Sequence, residues 1–207
     1  MRLFVAIELP PAVAESAASL GRVMKDRVGR SAPRARVTWV APDRMHLTVR
    51  FIGGVDDARV PQLVTALAEP FATGAFDVAL GEPGVFLSRG KPFGSAQGTP
   101  FGSAHGKPQV LWLALRTGVD ALQRLEQEVS GRLDRLGIPR ENRPFRPHLT
   151  LGRVREPAGL RASALTEGIT APASARGRVD AITLFESRLS PKGPTYIALQ
   201  RTPLRTS

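Results

Sequence analysis

A four-residue phrase occurs twice in this chain of 207 residues, as His46-Leu47-Thr48-Val49 and as His148-Leu149-Thr150-Leu151, 102 residues apart. Side chains at i and i+2 of a β-strand point to one face. Each phrase therefore predicts a strand that sends an imidazole and a hydroxyl one way and two aliphatic groups into a core. Thr makes up 13 of the 207 residues, so a Thr two places after a given His is roughly a one-in-sixteen coincidence. For one phrase alone, a core histidine beside a strand-favouring threonine is the simpler explanation. The matched pair argues instead for two similar halves whose cleft collects both imidazoles.

The surrounding pattern supports an α+β fold. Met1 to Glu8 reads as a strand, Val13 to Val28 as a helix, and Val37 to Val40 as extended. Met45 to Ile52 is a strand closed by Gly53-Gly54, and Asp56-Asp57 precedes a helix over about Ala58 to Phe71. Short strands at Phe76 to Leu80 and Val85-Phe86 lead to a buried strand at Val110 to Leu115. The stripe Leu122, Leu125, Val129, Leu133 and Leu136 marks a helix over Asp120 to Leu136. A strand at His148 to Val154, a short helix around Leu160 to Thr166, and strands at Arg178 to Leu184 and Thr195 to Gln200 complete the chain. Tandem strands imply antiparallel pairing. The expected architecture is one α+β domain over residues 1–207, built of two similar lobes with antiparallel sheets. A Gly/Pro-rich insertion at about 89–108 interrupts it, where Pro92-Phe-Gly-Ser-Ala-Gln-Gly98 is nearly repeated as Pro100-Phe-Gly-Ser-Ala-His-Gly106. His105, inside that loop, is read as an exposed histidine without chemistry.

Charge points to an anionic partner. Lys and Arg number 29 against 18 Asp and Glu, a net +11, and only four of the 29 are Lys. Arg carries a planar fork suited to phosphate oxygens, although a coding bias toward Arg gives the same composition. With no Cys, thiolate zinc sites, thiol nucleophiles and disulfides are excluded. No apolar run approaches the 18 or so residues of a membrane span. The segment from Met1 to Pro11 is too short for a secretory signal, so a cytoplasmic protein is expected, and it is read as a monomer.

Two imidazoles titrating near neutrality supply the pair that displacement at phosphorus requires. One takes a proton from water while the other gives one to the leaving oxygen. Thr48 and Thr150 hydroxyls supply donors for the non-bridging oxygens. A metal centre fits poorly, because two His give two ligands and neither phrase holds a carboxylate or a third His; no cofactor is expected.

These phrases resemble those of the two-histidine phosphoesterases, in particular the LigT-like RNA 2',3'-cyclic phosphodiesterases, also called 2'-5' RNA ligases. The likeness extends over Arg2-Leu-Phe-Val-Ala-Ile7, Val37-Thr-Trp-Val40, His46-Leu-Thr-Val-Arg-Phe-Ile-Gly53, Val110-Leu-Trp112, Phe145-Arg-Pro-His-Leu-Thr-Leu-Gly-Arg153, Phe185-Glu-Ser187 and the Leu189, Gly193, Tyr196 ending. The resemblance implies a bilobal fold of two antiparallel sheets around a central cleft, with helices outside and lobes related by a pseudo-two-fold axis. It also implies metal-independent opening of a 2',3'-cyclic phosphate, on an RNA end or a nucleotide, to a 2'-phosphomonoester. By that likeness His46 matches the proton donor to the 3' oxygen and His148 the base that activates water. Thr48 and Thr150 match the phosphate-binding threonines, Arg153 pairs with the phosphate, and Phe51 stacks on the base. Phe51 and Arg153 have the wrong strand parity to share a face with their histidines, unless each strand twists, bulges or ends between them. Arg50, Arg143 and Arg146 are read as a solvated basic face. Two alternatives stay open: 2'-5' ligation through the same residues, and a non-enzymatic basic module that binds RNA ends.

Overall fold

The computed structural model describes residues 1–88, 106–191 and 193–206. The duplicated segment up to and including His105 lies outside them. Thirteen elements follow in chain order: β1 (Arg2–Glu8), α1 (Pro11–Ser31), β2 (Arg36–Trp39), β3 (His46–Gly54), α2 (Val60–Ala68), β4 (Phe76–Leu87), β5 (Pro108–Thr117), α3 (Val119–Arg135), β6 (Leu149–Glu156), α4 (Ala162–Thr166), β7 (Arg176–Val179), β8 (Ala181–Ser190) and β9 (Gly193–Pro203). The fold is α+β and its strands pair antiparallel, as the pattern predicts.

The expected two sheets are joined into one. Strand order is β7-β4-β5-β6-β3-β1-β8-β9, with β2 also paired to β6. The halves meet between β3 and β6, where the recorded pairing is the single pair Leu47 opposite Leu149. The sheet also curls. The reading of Arg178 to Leu184 as one strand is corrected here, because β7 and β8 are two strands with only Asp180 between them. β7 is an edge strand beside β4, whereas β8 lies next to the far edge. One residue spans at most about 3.6 Å, so the two ends of the sheet must approach each other.

The core explains which face is left open. Leu3, Val5 and Ile7 of β1, with Leu47, Val49, Leu149 and Leu151, belong to one buried cluster with Val13, Leu20 and Met24 of α1 and Leu122, Leu125 and Val129 of α3. The helices thus cover the face that carries the aliphatic partners of the phrases. Each helix also reaches across. Gly21 of α1 lies against Leu151 of β6, and α3 supports β3 through Glu126, which pairs with Arg50 at 3.9 Å. Phe4 and Ala6, alternate residues of β1, form a second cluster on the opposite face with Phe185 and Tyr196. The near-continuous apolar run of β1 is accounted for, since both its faces are buried.

The junction gives a stability prediction. Leu149 has 0% exposure, and its truncation leaves a cavity at the narrowest pairing of the sheet. Leu149→Ala is expected to cost about 2–5 kcal/mol of unfolding free energy in urea titrations. Phe51→Ala, at a side chain 50% exposed, is expected to change stability by no more than about 0.5 kcal/mol.

Candidate active site

Antiparallel register brings the two phrases together. Leu47 faces Leu149, and one step forward on one strand is one step back on the other. Carrying the register one residue to either side puts His46 across from Thr150 and Thr48 across from His148. Directly opposed Cβ atoms lie roughly 4.5–5.5 Å apart and diagonal neighbours about 7–8 Å. Because Leu47 and Leu149 point into the core, all four polar side chains project from the other face. Each is half-buried.

The parity obstacle for Phe51 and Arg153 is removed by a bulge in each strand. Between β1 and β3, Val5 faces Arg50 and Ala6 faces Thr48, so Val49 is left without an opposite number. Between β5 and β6, Leu111 faces Gly152 and Trp112 faces Thr150, which leaves out Leu151. A bulge inserts one residue and resets the alternation. Val49 and Arg50 are both buried, as are Leu151 and Gly152, and the next side chains, Phe51 and Arg153, emerge exposed on the histidine face. Both bulges fall at the same place after their phrase.

The residues inside the two bulges differ for steric reasons. A Cβ on Gly152 would stand 2.9 Å from Val37 and 3.2 Å from Trp39, side chains of the adjoining β2. Its counterpart Arg50 has room to run beneath the sheet. The reading of Arg50 as a solvated basic residue is therefore corrected. It is 3% exposed, and its guanidinium donates to the Pro139 carbonyl at 2.7 Å. Arg143 and Arg146 are exposed, as expected.

Each imidazole is held in the same way. His46 Nδ1 lies 2.9 Å from the Arg44 carbonyl, and His148 Nδ1 lies 2.7 Å from the Arg146 carbonyl. A carbonyl only accepts, so Nδ1 carries hydrogen in both rings and Nε2 is left for a ligand. Burial pushes both imidazole pKa values below their ordinary 6.5. The carbonyl bond opposes that shift in each ring, and the charge of Arg153 adds to it. One guanidinium is thus felt by both imidazoles.

Aromatic rings line the two sides. His46 stacks tilted against Phe4 at 5.0 Å and stands edge-on to Tyr196 at 5.2 Å. His148 stands edge-on to Phe86 at 5.0 Å and to Trp112 at 6.2 Å. Trp112 is seated over Gly84, where a Cβ would fall 2.2 Å from the indole ring. Phe51 is 6.3 Å from Phe4 by ring centroids. Phe4, Phe86, Trp112, Arg44 and Tyr196 were not singled out as site residues by their own patterns. Several belong to segments that carry the family resemblance, which was the available signal. A separate depression of about 470 Å³, lined by residues that include Lys107, Arg155 and Leu160, contains neither histidine. Among the described residues no group of three or more His, Cys, Asp or Glu side chains is placed to hold a metal ion, and no helix is long and apolar enough to cross a membrane.

Comparison with known proteins identifies relatives of the whole chain. The chain is 33% identical over 212 residues to an RNA 2',3'-cyclic phosphodiesterase of Thermus thermophilus, covering 99% of this chain and 91% of the relative. It is 30% identical over 203 residues to a protein of the same name from Thermotoga maritima, covering 96% and 93%. Its fold is similar to the crystal structure of TT0787 of Thermus thermophilus, with a TM-score of 0.70 and 27% identity over 99% of this chain and 98% of the other. The apo form of Escherichia coli LigT matches equally, with a TM-score of 0.70 and 26% identity over the same shares. The sequence profile described as the 2'-5' RNA ligase superfamily matches residues 10–190, and the chain belongs to that superfamily.

Proposed function

We propose that this protein hydrolyses the 2',3'-cyclic phosphate at an RNA end, or on a nucleotide, to a 2'-phosphomonoester. The observation that carries this reading is the Leu47–Leu149 register, which faces two His-Leu-Thr phrases toward each other on the open side of the sheet. The names of the Thermus and Thermotoga relatives supply the substrate class. A cyclic phosphate held between the imidazoles meets a proton acceptor on one side and a proton donor on the other. Water attacks phosphorus and gives its proton to Nε2 of His148. The bond from phosphorus to the 3' oxygen breaks, and Nε2 of His46 delivers a proton to that oxygen. Thr48, Thr150 and Arg153 hold the non-bridging oxygens, where charge must be neutralised, and Phe51 offers its exposed ring to the base. This reading carries with it a metal-independent monomer working in the cytoplasm.

His46→Ala and His148→Ala are each expected to lower turnover of adenosine 2',3'-cyclic phosphate by at least about 10²-fold. Product analysis should show the 2'-phosphate. Full activity in both variants would overturn the mechanism, and binding of the nucleotide without turnover by the wild-type protein would leave an RNA-end-binding module. Activity should also survive prolonged EDTA treatment; a loss restored by zinc would replace the two-histidine mechanism with a metal-assisted one.

The pH dependence follows from the direction of the shifts. The reaction needs one imidazole protonated and one neutral, so kcat/KM should be bell-shaped with limbs that belong to the pair. Burial lowers both pKa values, which puts the optimum on the acid side of about pH 6.5. An optimum above about pH 7 contradicts this assignment. The same shifts bear on stability. A fold that disfavours imidazolium gains stability above the unfolded pKa and loses it as pH falls through the folded values.

A further inference from the structure

One polar group beside His46 has no part in the reaction as proposed. Tyr196, the single tyrosine of the chain, is brought over the site by β9. Its ring meets Phe4 edge-on at 5.0 Å, His46 at 5.2 Å and Phe185 at 6.4 Å. Rings pack this phenol, and its hydroxyl is the polar atom of an otherwise apolar cluster. The contacts of Tyr196 among the described residues are made by its ring, and its hydroxyl has no hydrogen-bond partner among them.

The start of β9 is tied to the same site. Arg44, which precedes His46 by two residues, donates to the Pro194 carbonyl at 3.1 Å, two residues before Tyr196. Arg44 and Arg153 both direct positive charge at the phenol. Arg153 is also the guanidinium felt by both imidazoles, so the phenol and the two histidines border one space. Burial raises the phenol pKa, which keeps it a hydrogen donor through the working range. An O–H without a protein partner, under the charge of two guanidiniums, is matched by an anionic acceptor.

Resting on the proposed phosphodiesterase reading, the geometry points to Tyr196 as a further substrate-binding residue. Its hydroxyl donates to a non-bridging oxygen of the phosphate between the histidines. It thereby joins Thr48 and Thr150 as a third neutral donor, one that enters from the β8–β9 hairpin and not from either phrase.

Tyr196→Phe keeps the ring that packs on His46 and removes only the donor. The variant should bind the product, adenosine 2'-phosphate, more weakly by roughly ten- to a hundredfold in calorimetric titrations, the usual range for a bond to a charged group. KM for adenosine 2',3'-cyclic phosphate should rise with it, while both limbs of the pH profile stay in place. Tyr196→Ala, which also strips the ring from His46, should displace those limbs as well. Binding and KM of Tyr196→Phe within twofold of wild type would overturn the inference. So would a displaced pH limb with unchanged binding, which would make the tyrosine only a packing partner of His46. Should the wild-type protein prove inactive on cyclic phosphates, the reading under Proposed function fails on its own. The comparison of wild type and Tyr196→Phe with inorganic phosphate as the probe still decides the role of the phenol.

Discussion

The antiparallel pair Leu47–Leu149 is the constraint on which the site depends. It is a pairing of two fully buried aliphatic side chains, 1% and 0% exposed. Its energetic content is the ordinary one of apolar burial, about 25 cal/mol for each Å² removed from water. Its consequence is chemical. Because side chains alternate along a strand, burying this pair obliges the residues on either side of it to face outward. Those residues are the two histidines and two threonines. A slip of one residue in either strand would turn that strand's polar groups into the core and its leucine outward. The hydrophobic core therefore sets the register, and the register assembles the site.

Equivalent irregularities then complete both halves. The bulge after each phrase buries two consecutive residues and returns the following side chain to the open face. From there the halves diverge according to what lies beneath and beside them. β2 packs closely over Gly152 and leaves no room for a side chain. Arg50, in the equivalent place, reaches Pro139 and Glu126 under the sheet. On the open face the difference is one of chemistry, with an exposed aromatic ring at 51 and an exposed guanidinium at 153. The two halves match in their bulges and in the carbonyl that holds each imidazole, and they differ in the side chains around them.

Periodicity made the class of fold legible, together with nearly every helix and strand, since apolar alternation and helical stripes are local properties. The pairing of the phrases was legible for a different reason: repetition of His-Leu-Thr is improbable without a shared task. Parity arithmetic correctly showed that Phe51 and Arg153 needed a break in their strands, but nothing local announced a bulge. Arg50 was misread because an arginine in a basic chain suggests solvent, and its burial depends on the Pro139 carbonyl and Glu126, 89 and 76 residues away. The joining of two sheets into one, and the turn at Asp180 from one end of that sheet toward the other, depend on closure of the whole curve. No window of sequence contains that information. Tyr196 was visible only as part of a family likeness, because its contacts with Phe4 and His46 are made across the curl.

The symmetry of the histidines also limits where the polarity of the reaction can originate. Each ring is fixed by a carbonyl two residues upstream, each is depressed by burial, and each feels Arg153. Neither ring is intrinsically the acid or the base. Proton roles in such a pair are assigned when the substrate binds, by which oxygen of the phosphorus centre faces which imidazole. The asymmetric lining then determines the answer. Under the proposed reaction, a base drawn to the exposed Phe51 ring, which neighbours Phe4 as His46 does, would set its ribose on the side of His46, where the leaving oxygen needs a proton. Water would then approach beside His148. On this argument the catalytic direction resides in the groups that orient the nucleoside and the phosphate, and exchanging the contacts that hold them would exchange the tasks of two otherwise equivalent imidazoles.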